Sequence, residues 1–191
     1  MLKGKKRVAV LISGNGGNLQ ALIDAAKQAD YPAEIKLVIC NKRDVYGITR
    51  AKQALIPVEI IEHNNYESRE EFDDAIQQKL LEYNIEIVCL AGFMRVLTAG
   101  FVKKWEDKML NIHPALLPSF KGANGVKDAL EYGVKITGCT VHLVVPEVDS
   151  GKILVQRSVE VADGETDISL GKKIHQQEHI AYPQALKILC S

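Results

Sequence analysis

The sequence contains no apolar run of the roughly 18–20 residues that a helix needs to cross a bilayer, so no helical membrane span is expected. Val8 to Ile12 follows a basic start, Met1 to Arg7, but Gly and Asn end that run too early for a secretory signal. Net charge is also missing: 24 Lys and Arg stand against 24 Asp and Glu. A chain that binds nucleic acid usually carries a positive excess, so the balance argues against a nucleic-acid partner. Cysteine is scarce. None of Cys40, Cys89, Cys139 and Cys190 forms a C-x-x-C pair, which leaves neither a zinc knuckle nor a thioredoxin-type motif. Cys40 and Cys89 lie inside apolar runs and read as small buried hydrophobes in a reducing compartment. No period of 20–50 residues repeats, and no low-complexity linker interrupts the chain. These absences lead to the expectation of a cytoplasmic protein folded as a single domain over residues 1–191.

What is present is enough for a real core: 47% of the residues are apolar and 25% charged. Strand-like and helix-like segments alternate. Arg7 to Ser13 is a β-branched and Leu-rich run that suits a strand buried on both faces. Asn18 to Ala29 carries Leu19, Leu22, Ile23 and Ala26 at helical spacing. Further strands are predicted over Glu34–Cys40, Val58–Ile61, Ile85–Ala91, Met109–Ile112, Ile136–Val145 and Ile153–Val161. Helices are predicted over Tyr46–Ala54, Ser68–Tyr83, Val126–Tyr132 and Asp167–Leu189. Ser68 and Glu71 have capping-box spacing, and Gly133 reads as a helix stop. Pro183 is expected to bend or interrupt the last helix. The order predicts an α/β fold with a mainly parallel twisted sheet, helices on both faces and a Rossmann-like N-terminal half. The last strand and helix are expected to form a lobe packed against that half.

Five segments could carry chemistry. Ser13-Gly14-Asn15-Gly16-Gly17-Asn18 follows a strand and opens a helix, where unpaired amides and the helix dipole favour a phosphate. It lacks the Gly-Lys-Ser/Thr ending of a P-loop, and no acidic residue ends the second strand as a dinucleotide site requires. The alternative is a tight turn without a ligand. Asn111 and His113 alternate with Ile112, so they share a face at a strand end, suited to holding a developing oxyanion. Asp149 lies in the turn Pro146 to Gly151, from which a carboxylate can return to the same edge and handle protons. The plain alternatives are a structural histidine and a solvated turn carboxylate. Ala91 to Leu97 offers an apolar slot with one cation, Arg95, for a flat heterocycle, or else core packing. His175 and His179 share a helix face, but H-E-x-x-H is absent, and no metal site is expected.

With these segments in order, the chain resembles the family of phosphoribosylglycinamide formyltransferases. The resemblance rests on Ile12 to Gly16 with Asn18-Leu19-Gln20, Ala91 to Arg95, Asn111 to Pro114 with Leu116-Leu117-Pro118, Gly138 with Thr140-Val141-His142, and Gln177-Glu178-His179. It runs from about Arg7 to Ala185. It implies formyl transfer from 10-formyltetrahydrofolate, a cosubstrate, to the amine of glycinamide ribonucleotide, in purine biosynthesis. It further implies that Asn111 and His113 stabilise the tetrahedral oxyanion and that Asp149 manages the proton. Gly16, Gly17, Asn18 and Leu19 would hold the phosphate end, and His175, Gln176, Gln177 and Glu178 the glycinamide and ribose end. Arg69 would meet the folate glutamate, while Met94, Arg95, Val96, Leu97, Asn111 and the run Val145, Pro146, Glu147, Val148, Asp149 would line the pteridine pocket. The partners would be these two small molecules, with no nucleic acid and no membrane, in a monomer or a homodimer.

Two positions depart from the family pattern. Gly17 replaces a common Ser, removing a hydroxyl from the phosphate loop, and Lys152 replaces a common Pro beside the Asp149 turn, which is expected to loosen it. Among relatives in chemistry, a methionyl-tRNA formyltransferase is expected to need an extra C-terminal domain, and a formyltetrahydrofolate hydrolase an extra N-terminal one. Outside that chemistry stands a non-catalytic nucleotide- or folate-binding module.

Overall fold

The computed structural model describes residues 4–191. A seven-stranded sheet runs in the order β3-β2-β1-β4-β5-β6-β7. The strands are β1 (Lys6–Ile12), β2 (Ala33–Cys40), β3 (Val58–Ile60), β4 (Ile87–Leu90), β5 (Met109–His113), β6 (Ile136–Leu143) and β7 (Ile153–Glu160). β3 through β5 pair in parallel; β6 runs antiparallel to both β5 and β7, so it alone reverses. The parallel strands run from the edge at β3 to β5, and helical crossovers cover both of their faces.

β1 shows how. Val8, Val10 and Ile12 pack into one core with α1 (Gly17–Ala26), α2 (Tyr46–Gln53) and α6 (Asp167–Cys190). Ala9 and Leu11, pointing the other way, pack with α3 (Arg69–Glu82) and α4 (Ala99–Lys104) through Phe72, Ile76, Leu80 and Phe101, and share that core with Met109 of β5. A shorter helix, α5 (Gly125–Tyr132), precedes β6. Its stop is Gly133, in the left-handed region at φ 83°, as expected.

Several expectations need correction. The last strand and helix form no lobe: β7 is the edge strand of the same sheet, and Leu170, Ile174, Tyr182 and Leu186 of α6 belong to the core shared with β1 and β2. Pro183 does not interrupt α6, which is continuous from Asp167 to Cys190. The proline lacks the N–H that the His179 carbonyl would have accepted; at its own carbonyl it accepts a further hydrogen bond from Tyr31 Oη at 2.7 Å. The sequence reading omitted α4, whose cap is Thr98 accepting from the Phe101 N–H at 3.3 Å. At α3, Ser68 Oγ accepts from Glu71 N–H (3.2 Å), but the Glu71 carboxylate reaches Glu67 N–H (3.0 Å) rather than closing the box on Ser68. The reciprocal box is at α6, between Thr166 and Ser169.

Candidate active site

In a parallel sheet the strand ends that point the same way gather the loops that follow them. Here Leu11, Leu90 and Asn111 align across β1, β4 and β5, because Leu11 pairs with Leu90 and Leu90 with Asn111. Beside Asn111 on β6 stands His142. The loop after β1 is bound to the loop after β4: Ser13 Oγ accepts from Met94 N–H at 2.8 Å.

The Asp149 turn reaches this edge. Asp149 Oδ2 lies 3.3 Å from His113 Nδ1 and accepts from Gly122 N–H at 2.9 Å. Oδ1 lies 3.5 Å from both Asn111 Nδ2 and His142 Nε2, the outer limit of hydrogen bonding. The turn is tied to the end of β6 at its base. The Lys152 carbonyl accepts from Leu143 N–H at 2.9 Å, and Gly151 fits so close to the Leu143 carbonyl that a Cβ would stand 1.8 Å from its oxygen. Asp149 itself has φ 49°, a left-handed conformation that Asp tolerates better than most residues. Burial alone would push its carboxyl up. The hydrogen bond from His142, the Gly122 N–H and the positive field of the two imidazoles outweigh that and hold it below the ordinary 3.8.

The partners fix how protons are placed on the two histidines. His113 Nε2 is 2.7 Å from the Phe120 carbonyl, which can only accept, so Nε2 carries a hydrogen and Nδ1 faces the carboxylate. A proton on Nδ1 makes that contact a complementary ion pair. His142 Nδ1 donates to the Leu143 carbonyl at 2.8 Å, while Nε2 lies 3.3 Å from Asn111 Nδ2 and 3.5 Å from Asp149 Oδ1, so it accepts from the amide when the ring is neutral and donates to the carboxylate when the ring is protonated. The sequence reading noted His142 only as part of a motif; its β6 register opposite Asn111 was the signal that gives it a place in the network.

A cavity of about 600 Å³ opens beside this cluster. Met94, Arg95, Val96, Leu97, Asn111, His113 and Val145 to Asp149 line it, as do Asn18, His175 and Glu178. Met94, Val96 and Val148 are 66%, 55% and 54% exposed, an apolar rim suited to a flat ring. On the far wall Glu178, 3% exposed, accepts from Asn18 Nδ2 at 2.8 Å, while Asn18 Oδ1 is buried with no partner. α1 opens at Gly17 with no side-chain cap, so its first amides face outward.

Other expected residues lie apart from the cavity wall. Gly16 takes φ 73° to turn into α1, and Leu19 is buried in the core, leaving only its backbone for a ligand. Gln176 is exposed, and Gln177 Oε1 accepts from Arg157 Nε at 2.7 Å. Arg69 is exposed on the first turn of α3. Among the described residues no group of three or more His, Cys, Asp or Glu could hold a metal ion, and no helix is long and apolar enough to cross a membrane.

The chain is similar to several known proteins. Residues 6–186 match the family model described as formyl transferase. Phosphoribosylglycinamide formyltransferase of Haemophilus influenzae is 42% identical over 95% of this chain and 86% of its own length. A trifunctional purine biosynthetic protein adenosine-3 of Gallus gallus is 53% identical over 98% of this chain, which spans 19% of that much longer relative. The crystal structure of glycinamide ribonucleotide transformylase 1 from Symbiobacterium toebii superposes with a TM-score of 0.95 at 40% identity, covering 97% of this chain and 88% of that one.

Proposed function

The chain belongs to the formyl transferase family, and from that premise we propose that it transfers the formyl group of 10-formyltetrahydrofolate to the amine of N1-(5-phospho-D-ribosyl)glycinamide, giving the N-formyl product and tetrahydrofolate, in purine biosynthesis. The observation that carries this reading is the meeting of Asn111, His113 and Asp149 at one cavity wall, opposite the uncapped start of α1.

The chemistry follows from the groups. The amine attacks the formyl carbon, a C–N bond forms, and negative charge grows on the formyl oxygen. The Asn111 carboxamide supplies N–H donors for that oxygen, and His113 Nε2–H, held on the Phe120 carbonyl, is a second donor that can exchange one oxygen for another. The attacking nitrogen must lose a proton and the departing folate nitrogen must gain one. Asp149, ionised below the ordinary carboxylate range and in contact with His113 Nδ1, is placed to take the first, and the imidazole to relay it. The apolar rim from Met94 to Leu97 and the turn from Val145 to Asp149 take the pteridine, with Arg69 toward the folate glutamate. Gly16 to Leu19 take the phosphate, and His175 to Glu178 the ribose and glycinamide. On this reading residues 1–191 act as one formyltransferase domain in the cytoplasm, without a metal, as a monomer or homodimer, on two small molecules rather than on nucleic acid or membrane.

The test is turnover with 10-formyl-5,8-dideazafolate, followed by absorbance, with and without the ribonucleotide. Ribonucleotide-dependent turnover is expected, and Asp149→Asn is expected to lower kcat by about 10²-fold or more. Binding of both ligands with no turnover in the wild type would sink the transferase reading.

A further inference from the structure

Met94 and Val96 stand exposed on the cavity rim, on a loop that contains neither helix nor strand. Such a loop keeps one shape only where its backbone is tied down. Two buried side chains tie it. At one end Ser13 Oγ accepts from Met94 N–H at 2.8 Å. At the other Asp73 Oδ2 accepts from Thr98 N–H at 2.7 Å. Ser13 is 5% exposed and Asp73 3%. Next to the first tie, Phe93 stacks on Phe72, with ring centroids 6.4 Å apart and planes 5° apart. A carboxyl group loses hydration when it is buried, so a buried one is expected to serve the group it contacts. Here that group is the amide at which the rim loop ends and α4 begins. Residues 69, 73 and 77 recur every four positions and so lie along one face of α3. Gln77 Oε1 accepts from Trp105 Nε1–H at 2.8 Å. α3 therefore holds α4 at both ends, at Thr98 through Asp73 and at Trp105 through Gln77. The loop that leads into α4 thus ends at a fixed point.

We propose that Asp73 and Ser13 are positioning residues for the folate: by holding Thr98 N–H and Met94 N–H they set where the rim from Met94 to Leu97 stands. The cavity is lined by residues of that loop and not by Ser13 or Asp73, so both act through the loop. The inference deepens the functional reading above and rests on it for the identity of the ligand. One helix then serves both ends of the cosubstrate, with Arg69 toward the glutamate and Asp73 toward the rim that takes the ring. Position 73 needs an acceptor rather than a charge. An amide oxygen can take the same N–H, whereas a methyl group leaves it without its partner.

The experiment compares wild type, Asp73→Ala, Asp73→Asn, Ser13→Ala and the double variant of the two alanines. Dissociation constants for 5,8-dideazafolate and for the ribonucleotide are measured by calorimetry, and steady-state constants in parallel. Amide exchange of residues 94–98 is followed by NMR. Asp73→Ala is expected to raise the dissociation constant and the KM of the folate about tenfold, with the ribonucleotide constants and kcat changed less than about threefold. Its Thr98 amide should exchange about tenfold faster or more. Asp73→Asn is expected to stay within about threefold of wild type for the folate. Ser13→Ala is expected to weaken folate binding too, and the double variant to lose less than the sum, because a loop freed at one end has less left to lose. Folate constants in Asp73→Ala within about twofold of wild type overturn the proposal. So does an equal loss for both ligands, which marks damage to the fold, and so does an Asp73→Asn that binds folate as weakly as Asp73→Ala. If Asp73→Ala does not fold, Ser13→Ala decides by the same criteria. The calorimetry needs no turnover. If the wild type binds the folate analogue and the variants weaken that binding as expected, yet the wild type forms no product, the transferase reading falls and this one stands.

Discussion

At Asp149 opposing local energies meet. Burial favours its neutral form, while His142, Gly122 N–H and His113 favour its charge and win. Its folded pKa is therefore below the unfolded one, so the ionised carboxylate stabilises the fold at pH values above 3.8, and that contribution is lost as pH falls through the lower folded value. Asparagine keeps the size and tolerates the left-handed φ of 49° that Asp149 adopts, but it cannot ionise. Asp149→Asn should then be less stable than wild type in urea at pH 7, with the gap closing as pH is lowered from 5 to 3. A constant gap across that range would mean that the mutation acts through shape rather than charge. Such a change at one carboxylate was not visible in the sequence. The turn residues around 149 could be read from Pro146 and Gly151, but the approach of the Gly122 amide, 27 positions away, could not.

Elements were legible where their signal was internal to them. β1, β2 and β4 are short β-branched runs because both of their faces are covered, and α3 and α5 carry their own stops and caps. α4 was missed because its six residues, Ala99–Lys104, are too few to show a period, and it forms because Phe101 and Val102 find the core around Phe72 and Met109. Pro183 misled for the converse reason. A proline costs a helix one hydrogen bond, but α6 is clamped to the sheet by burial along its length and by Tyr182, whose hydroxyl donates to the Leu90 carbonyl at 2.9 Å and lies 3.2 Å from the Leu110 carbonyl. Those two carbonyls are on β4 and β5, the strands that carry the site loops. Tyr182→Phe keeps the ring in the core and removes only that clamp, so it should cost about 1–3 kcal/mol in urea unfolding, and the mutant should remain folded at 25 °C. A cost indistinguishable from zero would show that water replaces the hydroxyl at the strand ends.

At the scale of the whole molecule, the site is closed by contacts between distant parts of the chain. Asn111 and His113 could be paired on one strand by the alternation of side chains, and the glycine loop could be assigned to a helix start. That Asp149 returns to His113, and that Glu178 reaches across to Asn18 over a separation of 160 residues, are consequences of the strand order and of α6 packing back on α1. Spacing carries no trace of either; the family resemblance implied roles for Asp149 and His113 in one reaction but no contact between Glu178 and Asn18. The same topology makes a prediction about ligands. A ribonucleotide seated between the first turn of α1 and the His175 to Glu178 face of α6 ties the first helix to the last, so its binding energy opposes unfolding of the whole sheet rather than of one loop. At a concentration 100 times its dissociation constant it should add about 2.7 kcal/mol of stability, or a rise of about 5–10 °C in Tm for a chain of this size. Hydrogen exchange should slow together at the start of α1 and the middle of α6. A folate analogue, resting on the 94–97 and 145–149 loops, should protect those loops instead. If the ribonucleotide raised Tm while leaving the amides of α1 and α6 unchanged, its seat would have to be elsewhere on the molecule, because a ligand that bridges two helices must slow their local opening.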